Sequence, residues 1–241
     1  MEFILIISSV FTAIISAVIG MGGGVLLLSI MTFFLPAQSL IPIHGVVQLI
    51  SNSTRVYYLK AYIKWDYYRY YILGLPIGAI GSTYLLKYIF QKQYIYLLLA
   101  LIIFYAVFKP KKLPEFKVKQ KSWILIGIFT GILAILVGAV GPMLAVFFIR
   151  DDFEKEEIVS TKAMMQLSAH LIKIPAFLYL EFDYTSNLFL ISIMGIAVII
   201  GTKFGIKLLK RVDKNSFKIL FKTVLFIAGI RITYKFVSFY L

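Results

Sequence analysis

The sequence predicts an all-α, polytopic membrane protein, and three observations support this fold class. First, 61% of the 241 residues are hydrophobic and only 15% are charged, whereas soluble domains have roughly half and a quarter. Second, long apolar runs recur along nearly the whole chain, and a helix of about 20 residues crosses a bilayer. Third, glycine clusters interrupt two of these runs at corresponding places.

The apolar runs define eight segments. They are 3–35, 41–63, 67–86, 93–108, 122–149, 158–180, 185–206 and 216–240. The first and fifth contain the clusters Gly20–Gly24 and Gly138–Pro142. Because an interior glycine costs a helix about 1 kcal/mol and an interior proline about 3 kcal/mol, we expect a break at each cluster. A small-residue patch for helix packing is the alternative.

The two halves of the chain are alike. A shift of 118 residues places Gly20 on Gly138 and Gln48 on Gln166. Each half then consists of a broken segment, a polar helix, a glycine-rich helix and a closing helix. We predict two repeats and a linker, whose ranges are 1–108 for the first repeat, 109–121 for the linker and 122–241 for the second repeat.

Basic connections predict the orientation. The linker carries Lys109, Lys111, Lys112, Lys117, Lys119 and Lys121, and connections 60–69 and 207–218 are also basic. All three should face the cytoplasm. Three apolar segments separate the linker from 207–218, so one of them must enter and return on the same side. The best candidate is 122–149, which breaks at Gly138–Pro142.

By symmetry, segment 3–35 enters from the outside. The prediction is two inverted repeats in the cell membrane, each a broken or re-entrant helical hairpin plus three transmembrane helices, and the acidic stretch 151–157 then lies inside.

Composition excludes several functions. The absence of cysteine removes disulfides and thiolate chemistry. The net charge of +14 comes from connections between apolar runs, as in membrane topology, so no nucleic-acid partner is expected. Metalloprotease, Walker A and nucleophile-elbow motifs are missing, so we do not expect an enzyme. The start of the chain has no basic region or cleavage site typical of a removable signal.

The second helix of each half carries a polar stripe with spacing i, i+4, i+8 and i+11, which follows one helix face. The stripes are His44, Gln48, Asn52 and Arg55, and Lys162, Gln166, His170 and Lys173. A cation in mid-membrane costs at least about 2.5 kcal/mol, so the stripes should face the bundle interior. Hydrogen bonding between helices and snorkelling of the cations are the alternatives.

Positive charge combined with amide and hydroxyl donors suits a small oxyanion. The glycine breaks add backbone N–H groups and positive helix ends. The candidate substrate-binding residues are Gln48, Ser51, Asn52, Arg55, Gln166, His170, Lys173, Gly22, Gly23, Gly24 and Gly141. His170 is either a neutral hydrogen-bond donor or a proton-coupling group.

The order and spacing of these motifs resemble the TauE/SafE family, also called the sulfite exporter family. The matching features are the Gly20–Gly24 cluster, the polar helix that closes on Ile63-Lys64-Trp65-Asp66, and the stretch from His170 to Pro175. The resemblance implies a membrane carrier of sulfite, thiosulfate, sulfoacetate or another organosulfonate, without a prosthetic group. A run of glycines is usual in the second half of that family, where this chain has Val140-Gly141-Pro142.

Together these features predict a secondary transporter that moves a small anion by alternating access, with export as the expected direction. Its partners would be the anion and the lipid bilayer, and the sequence leaves a homo-oligomer open. A passive anion channel on the same scaffold is the main alternative. A membrane-embedded enzyme or a packing subunit is the third.

Overall fold

The computed structural model describes residues 2–88, 118–138, 140–148 and 152–238, together with positions 101, 104 and 108. Every regular element in these ranges is helical, which confirms the all-α prediction. The helices are α1 (Glu2–Ile19), α2 (Gly23–Met31), α3 (Ala37–Leu59), α4 (Trp65–Tyr88), α5 (Trp123–Leu136), α6 (Gly141–Val146), α7 (Lys155–Leu171), α8 (Lys173–Tyr179), α9 (Leu188–Leu209) and α10 (Lys214–Val237). Most of predicted segment 93–108 and of linker 109–121 lies outside the described residues.

Both predicted helix breaks are present. Helix α1 ends at Ile19 and α2 begins at Gly23, and Gly20 between them has a φ of 78°. Helix α5 ends at Leu136 and α6 begins at Gly141, and the intervening Gly138 has a φ of 85°. Side chains rarely adopt these positive φ values, so glycine is what allows the chain to leave each helix.

A third break was not predicted. Segment 158–180 was expected as one helix, but α7 ends at Leu171 and α8 begins at Lys173. Pro175 explains the interruption, because its ring lacks an N–H and clashes with the carbonyl group of Leu171. The end of the second polar stripe therefore lies at a helix junction.

The first helix of each half packs against the glycine-rich helix of the other half. A Cβ on Gly74 of α4 would lie 1.9 Å from the carbonyl oxygen of Ile124 in α5. A Cβ on Gly201 of α9 would likewise lie 2.3 Å from the carbonyl oxygen of Val10 in α1. Small residues thus bring the two backbones of each pair into contact, as in closely packed membrane helices.

One end of the bundle gathers the basic connections. Lys64 forms an ion pair with Glu157 at 2.5 Å, and Lys214 forms one with Glu154 at 3.0 Å. The ring of Trp123 at the start of α5 lies 5.4 Å from that of Phe148, which follows α6. The hairpin of α5 and α6 therefore begins and returns near the same place. We call this end, formed by 60–69, 118–123, 152–157 and 210–214 together with Phe148, the basic end.

The hairpin of α1 and α2 begins and returns at the other end of the bundle. Leu5 near the start of α1 and Met31 at the end of α2 share a buried cluster with Leu190 at the start of α9. Arg231, near the far end of α10, donates from Nε to Ser29 Oγ of α2 at 3.0 Å. We call this the opposite end, and the two hairpins thus enter the bundle from different ends.

The outer surface carries large apolar side chains. By length and composition, two helical stretches among the described residues qualify as membrane spans, Glu2–Ile19 and Thr185–Leu209. Helices α4 and α9 also expose rows of apolar residues, which are Leu73, Ile77, Ile80, Ile196, Ile200 and Phe204. Such contiguous apolar faces are unusual on soluble proteins and are suited to contact with lipid.

Candidate anion-binding site

The two predicted polar stripes face each other in the centre of the bundle. The rings of His44 and His170 meet edge to face with centroids 5.9 Å apart. Because Lys64, which follows α3, pairs with Glu157 in the first turn of α7, helices α3 and α7 run antiparallel. Gln48 and Gln166 are also buried, at 5% and 6% exposure. Both stripes therefore point inward, as their polarity predicted.

A small cavity of about 20 Å³ lies between these stripes and the two hairpin breaks. Predicted site residues that line it are Gly22, Gly24, Gln48, Gly141, Gln166 and His170. The structure adds His44, which belongs to the first stripe, and Ser16, which lies four residues before Gly20 in the last turn of α1. Val140 and Pro142, at the second break, contribute apolar side chains to the lining.

The two glutamines contact the second helix of each hairpin. A Cβ on Gly24 would lie 3.4 Å from the amide of Gln48, and a Cβ on Gly141 would lie 2.8 Å from Gln166 Nε2. The glycines thus leave room for the amides at the first turns of α2 and α6. This brings together side-chain amides and helix starts, both of which supply N–H groups.

Hydrogen bonds fix the orientation of the two imidazoles. His44 Nε2 lies 2.8 Å from the carbonyl oxygen of Gly24, which can only accept, so this nitrogen carries the hydrogen. His170 Nδ1 lies 3.0 Å from Lys173 Nζ and accepts a hydrogen bond from the ammonium. The Nε2 of a neutral His170 then carries a hydrogen that it can donate.

Arg55 is fully surrounded by protein, with 1% exposure, but it does not line the cavity. Its Nη1 donates to the carbonyl oxygen of Ser16 at 3.1 Å, and Nη2 donates to Asn52 Oδ1 at 2.6 Å. Asn52 in turn donates from Nδ2 to the carbonyl oxygen of Gln48 at 2.8 Å. Arg55 and Asn52 therefore link α3 to the end of α1, one layer behind the cavity.

Lys173 occupies the matching place in the second half. Its Nζ donates to the carbonyl oxygen of Gly138 at 2.6 Å. Each stripe thus ends in a cation that binds backbone carbonyls at the break of its own half. Cations are favourable there, because a helix C-terminus carries partial negative charge.

Two predicted residues take part in helix packing instead. Ser51 Oγ lies 3.0 Å from Thr202 Oγ1 of α9, so its hydroxyl bridges two helices. A Cβ on Gly23 would lie 1.8 Å from the carbonyl oxygen of Thr12, so this glycine allows α2 to fold back on α1. Interhelical hydrogen bonding was the alternative role for such residues.

Each hairpin break also packs on the polar helix of the other half. A Cβ on Gly20 would lie 3.3 Å from Val159 of α7, and a Cβ on Gly138 would lie 3.0 Å from Ile41 of α3. The two glycines differ by 118 positions, as do Ile41 and Val159. The shift of 118 residues that relates the two halves of the sequence therefore also relates these two packing contacts.

The arrangement offers hydrogen-bond donors without competing negative charge. No Asp or Glu occurs among the described residues that line the cavity. The acidic residues that the structure describes in α7 belong to its first turn, and Glu181 and Asp183 lie between α8 and α9. A site with buried amides, imidazoles and cations, and no carboxylate, suits an anion.

Paired broken helices around a polar centre are typical of secondary membrane transporters. The comparison with protein families agrees, because the model of the sulfite exporter TauE/SafE family matches residues 5–232. The chain belongs to this family of membrane transporters. Comparisons with curated proteins and with solved structures give no match.

Proposed function

We propose that this protein is a secondary transporter of a small anion, with sulfite or an organosulfonate as the substrate class, and that it works by alternating access. The observation that carries the proposal is the central cavity, where Gln48, Gln166 and His170 lie between two hairpin breaks. The family points to sulfite exporters. The donors and the absence of lining carboxylates point to an anion independently.

The cavity volume supports alternating access over an open pore. At about 20 Å³ the cavity admits little more than one water molecule. A sulfite ion has four heavy atoms, so the cavity must widen before the ion can bind. The helices are already interrupted at Gly20 and Gly138. Each hairpin can therefore move at its interruption without breaking helical hydrogen bonds.

For the membrane arrangement we propose two inverted repeats, 1–108 and 122–241, each with one re-entrant hairpin and three transmembrane helices. The reciprocal packing of α1 on α9 and of α4 on α5 supports this arrangement, as does the entry of the two hairpins from different ends. The basic end would face the cytoplasm, because Lys and Arg accumulate in cytoplasmic connections. Linker 109–121 would then be cytoplasmic.

Within the site we assign direct contact with the anion to Gln48, Gln166 and His170, and to backbone N–H groups near Gly22, Gly24 and Gly141. Arg55 and Lys173 would attract the anion from one layer behind. A charge at that distance acts strongly, because the surroundings contain little water. Both cations also hold the breaks in place through their carbonyl partners, so their loss should affect binding and geometry together.

Sulfite counterflow into proteoliposomes tests the proposal. The wild type should show saturable uptake that is accelerated by sulfite inside the vesicles. Gln48→Leu and Gln166→Leu each remove a donor, and each should weaken sulfite binding roughly 10-fold or more. Ser51→Ala is a matched control, since its hydroxyl faces Thr202. Flux that does not saturate and shows no counterflow would favour the passive anion channel.

The cations are tested in the same assay. Arg55→Met and Lys173→Met should abolish sulfite uptake while the protein remains monodisperse in detergent. Arg55→Lys keeps the charge but cannot make both hydrogen bonds of the guanidinium to Ser16 and Asn52, so partial activity is expected. Unchanged uptake by both methionine variants would remove these cations from the mechanism.

A further inference from the structure

Lys162 of α7 is a buried lysine without an evident structural partner. Its exposure is 0%, and its Nζ has no hydrogen-bond acceptor among the described residues. The ammonium lies 4.7 Å from the centre of the Phe221 ring. It also lies 3.8 Å from the place that a Cβ on Gly20 would occupy. The aromatic face attracts the charge but accepts none of its three N–H groups in a conventional hydrogen bond.

Such an arrangement is costly. A lysine buried without acceptors either keeps most of the desolvation penalty of its charge or gives up its proton, and both cost free energy. Lys155, by contrast, places its ammonium between the carbonyl oxygens of Leu209 and Val212 at the basic end. A methionine at position 162 would fill the same space without the penalty, so packing alone does not account for a lysine there.

The sequence offset identifies the counterpart of Lys162. Subtracting 118 from 162 gives 44, and His44 lines the cavity. Subtracting 118 from 170 gives 52, so His170 and Asn52 are likewise counterparts. The pair formed by His44 and His170 therefore corresponds to a pair formed by Lys162 and Asn52. Gln48 and Gln166 correspond to each other and lie between the two pairs along the stripes.

The two pairs lie toward different ends of the bundle. Helix α7 begins at the basic end, where Glu157 binds Lys64, so Lys162 is nearer that end than His170 is. Helix α3 ends there, so Asn52 is nearer than His44. The cavity includes both histidines and neither member of the other pair. The site is thus displaced toward the opposite end.

We infer that Lys162 and Asn52 line the anion site in the second access state, the one open to the basic end, in the positions that His44 and His170 hold here. This inference rests on the proposed transporter function. When two matching halves exchange conformations, position 162 takes the environment of position 44. Lys162 then leaves the Phe221 ring and donates to the oxyanion, which supplies the acceptors that the ammonium lacks in this conformation.

The experiment uses the full-length protein in detergent and in proteoliposomes, with sulfite as the probe. Lys162→Met removes the charge, Lys162→Arg keeps it, and Lys203→Met makes the same chemical change at an exposed site on α9. Without sulfite, Lys162→Met should melt at the wild-type temperature or above, because an amino group without hydrogen-bond acceptors has gone. The sulfite concentration that half-saturates counterflow should rise roughly 10-fold or more. Lys162→Arg and Lys203→Met should stay within about threefold of the wild type.

A second variant provides chemical rescue and reports the side of access. The chain has no cysteine, so Lys162→Cys introduces a single thiol. Alkylation of this thiol with 2-bromoethylamine, with loss of bromide, gives a thioether that ends in an ammonium and is stable to sulfite. This modification should restore sulfite exchange and should proceed faster from the basic end. Wild-type half-saturation in Lys162→Met, or no rescue in folded Lys162→Cys, would overturn the inference and leave the transporter intact. Absence of saturable exchange in the wild type would overturn both.

Discussion

Replacing Gly138 with alanine should destabilise the protein. With a φ of 85°, an L-residue in this left-handed region costs about 1–2 kcal/mol. The new Cβ would also lie 3.0 Å from Ile41 Cγ1 and 3.3 Å from Ile41 Cγ2, and crowding of this kind costs about 1–3 kcal/mol. The expected loss in the free energy of unfolding is therefore about 2–5 kcal/mol.

Gly81→Ala is the matched control. Gly81 lies within α4, and no atom lies within 4 Å of the Cβ that alanine would add. Alanine should raise the free energy of unfolding by about 0.5–1 kcal/mol, because it restricts the unfolded chain. The assay is reversible unfolding in mixed micelles, with secondary structure followed by circular dichroism. If Gly138→Ala were as stable as Gly81→Ala, the break would not have the backbone conformation described above.

Three further predictions concern packing and the loops. Gly78→Val should prevent stable folding in the same unfolding assay, because a Cβ at Gly78 would lie 1.8 Å from the carbonyl oxygen of Ile128 and α4 would have to move away from α5. Ser51→Ala should cost about 0.5–1.5 kcal/mol, the usual worth of one hydrogen bond, and should leave the affinity for sulfite unchanged. Hydrogen bonds from Ser186 and Thr185 lower the pKa of Asp183 to about 2. A lowered carboxyl pKa gives stability that is complete above the unfolded value of about 4 and is lost as the pH falls toward 2. Asp183→Asn should therefore flatten the dependence of melting temperature on pH in that range.

The sequence predicted the helical class, both glycine breaks and the inward polar faces, because each depends on local chemistry. Glycine is a poor helix former, so breaks at Gly20 and Gly138 could be expected from the sequence. The inward faces follow from the cost of placing cations in lipid. Gly20 and Gly138, which are 118 residues apart, also make equivalent packing contacts in the structure.

Other features depend on contacts between distant segments. Ser51 has the same polarity as Gln48, but a hydroxyl on α9 takes up its hydrogen bond. Arg55 and Lys173 were expected to face the substrate, and in this conformation they bind the carbonyls of Ser16 and Gly138. No periodicity reveals such carbonyls, because they belong to helix ends whose position is set by packing.

The junction between α7 and α8 could have been predicted from local sequence. Pro175 follows a polar stretch within the apolar segment 158–180, and proline interrupts the hydrogen bonding of the preceding turn. The strongly apolar character of the segment favoured a single helix. The break matters for the site, because it places Lys173 at the first residue of a new helix.

Access to the cavity by a charged reagent tests the central claim most directly. Ser16 lines the cavity, and its replacement by cysteine adds the only thiol to the chain. We predict that Ser16→Cys reacts with a negatively charged methanethiosulfonate and that sulfoacetate slows the reaction in a saturable way. Cysteine in place of Ser82, which is fully buried in α4, should stay unreactive. Equal reaction rates at position 16 with and without sulfoacetate would contradict an anion site between the two hairpin breaks.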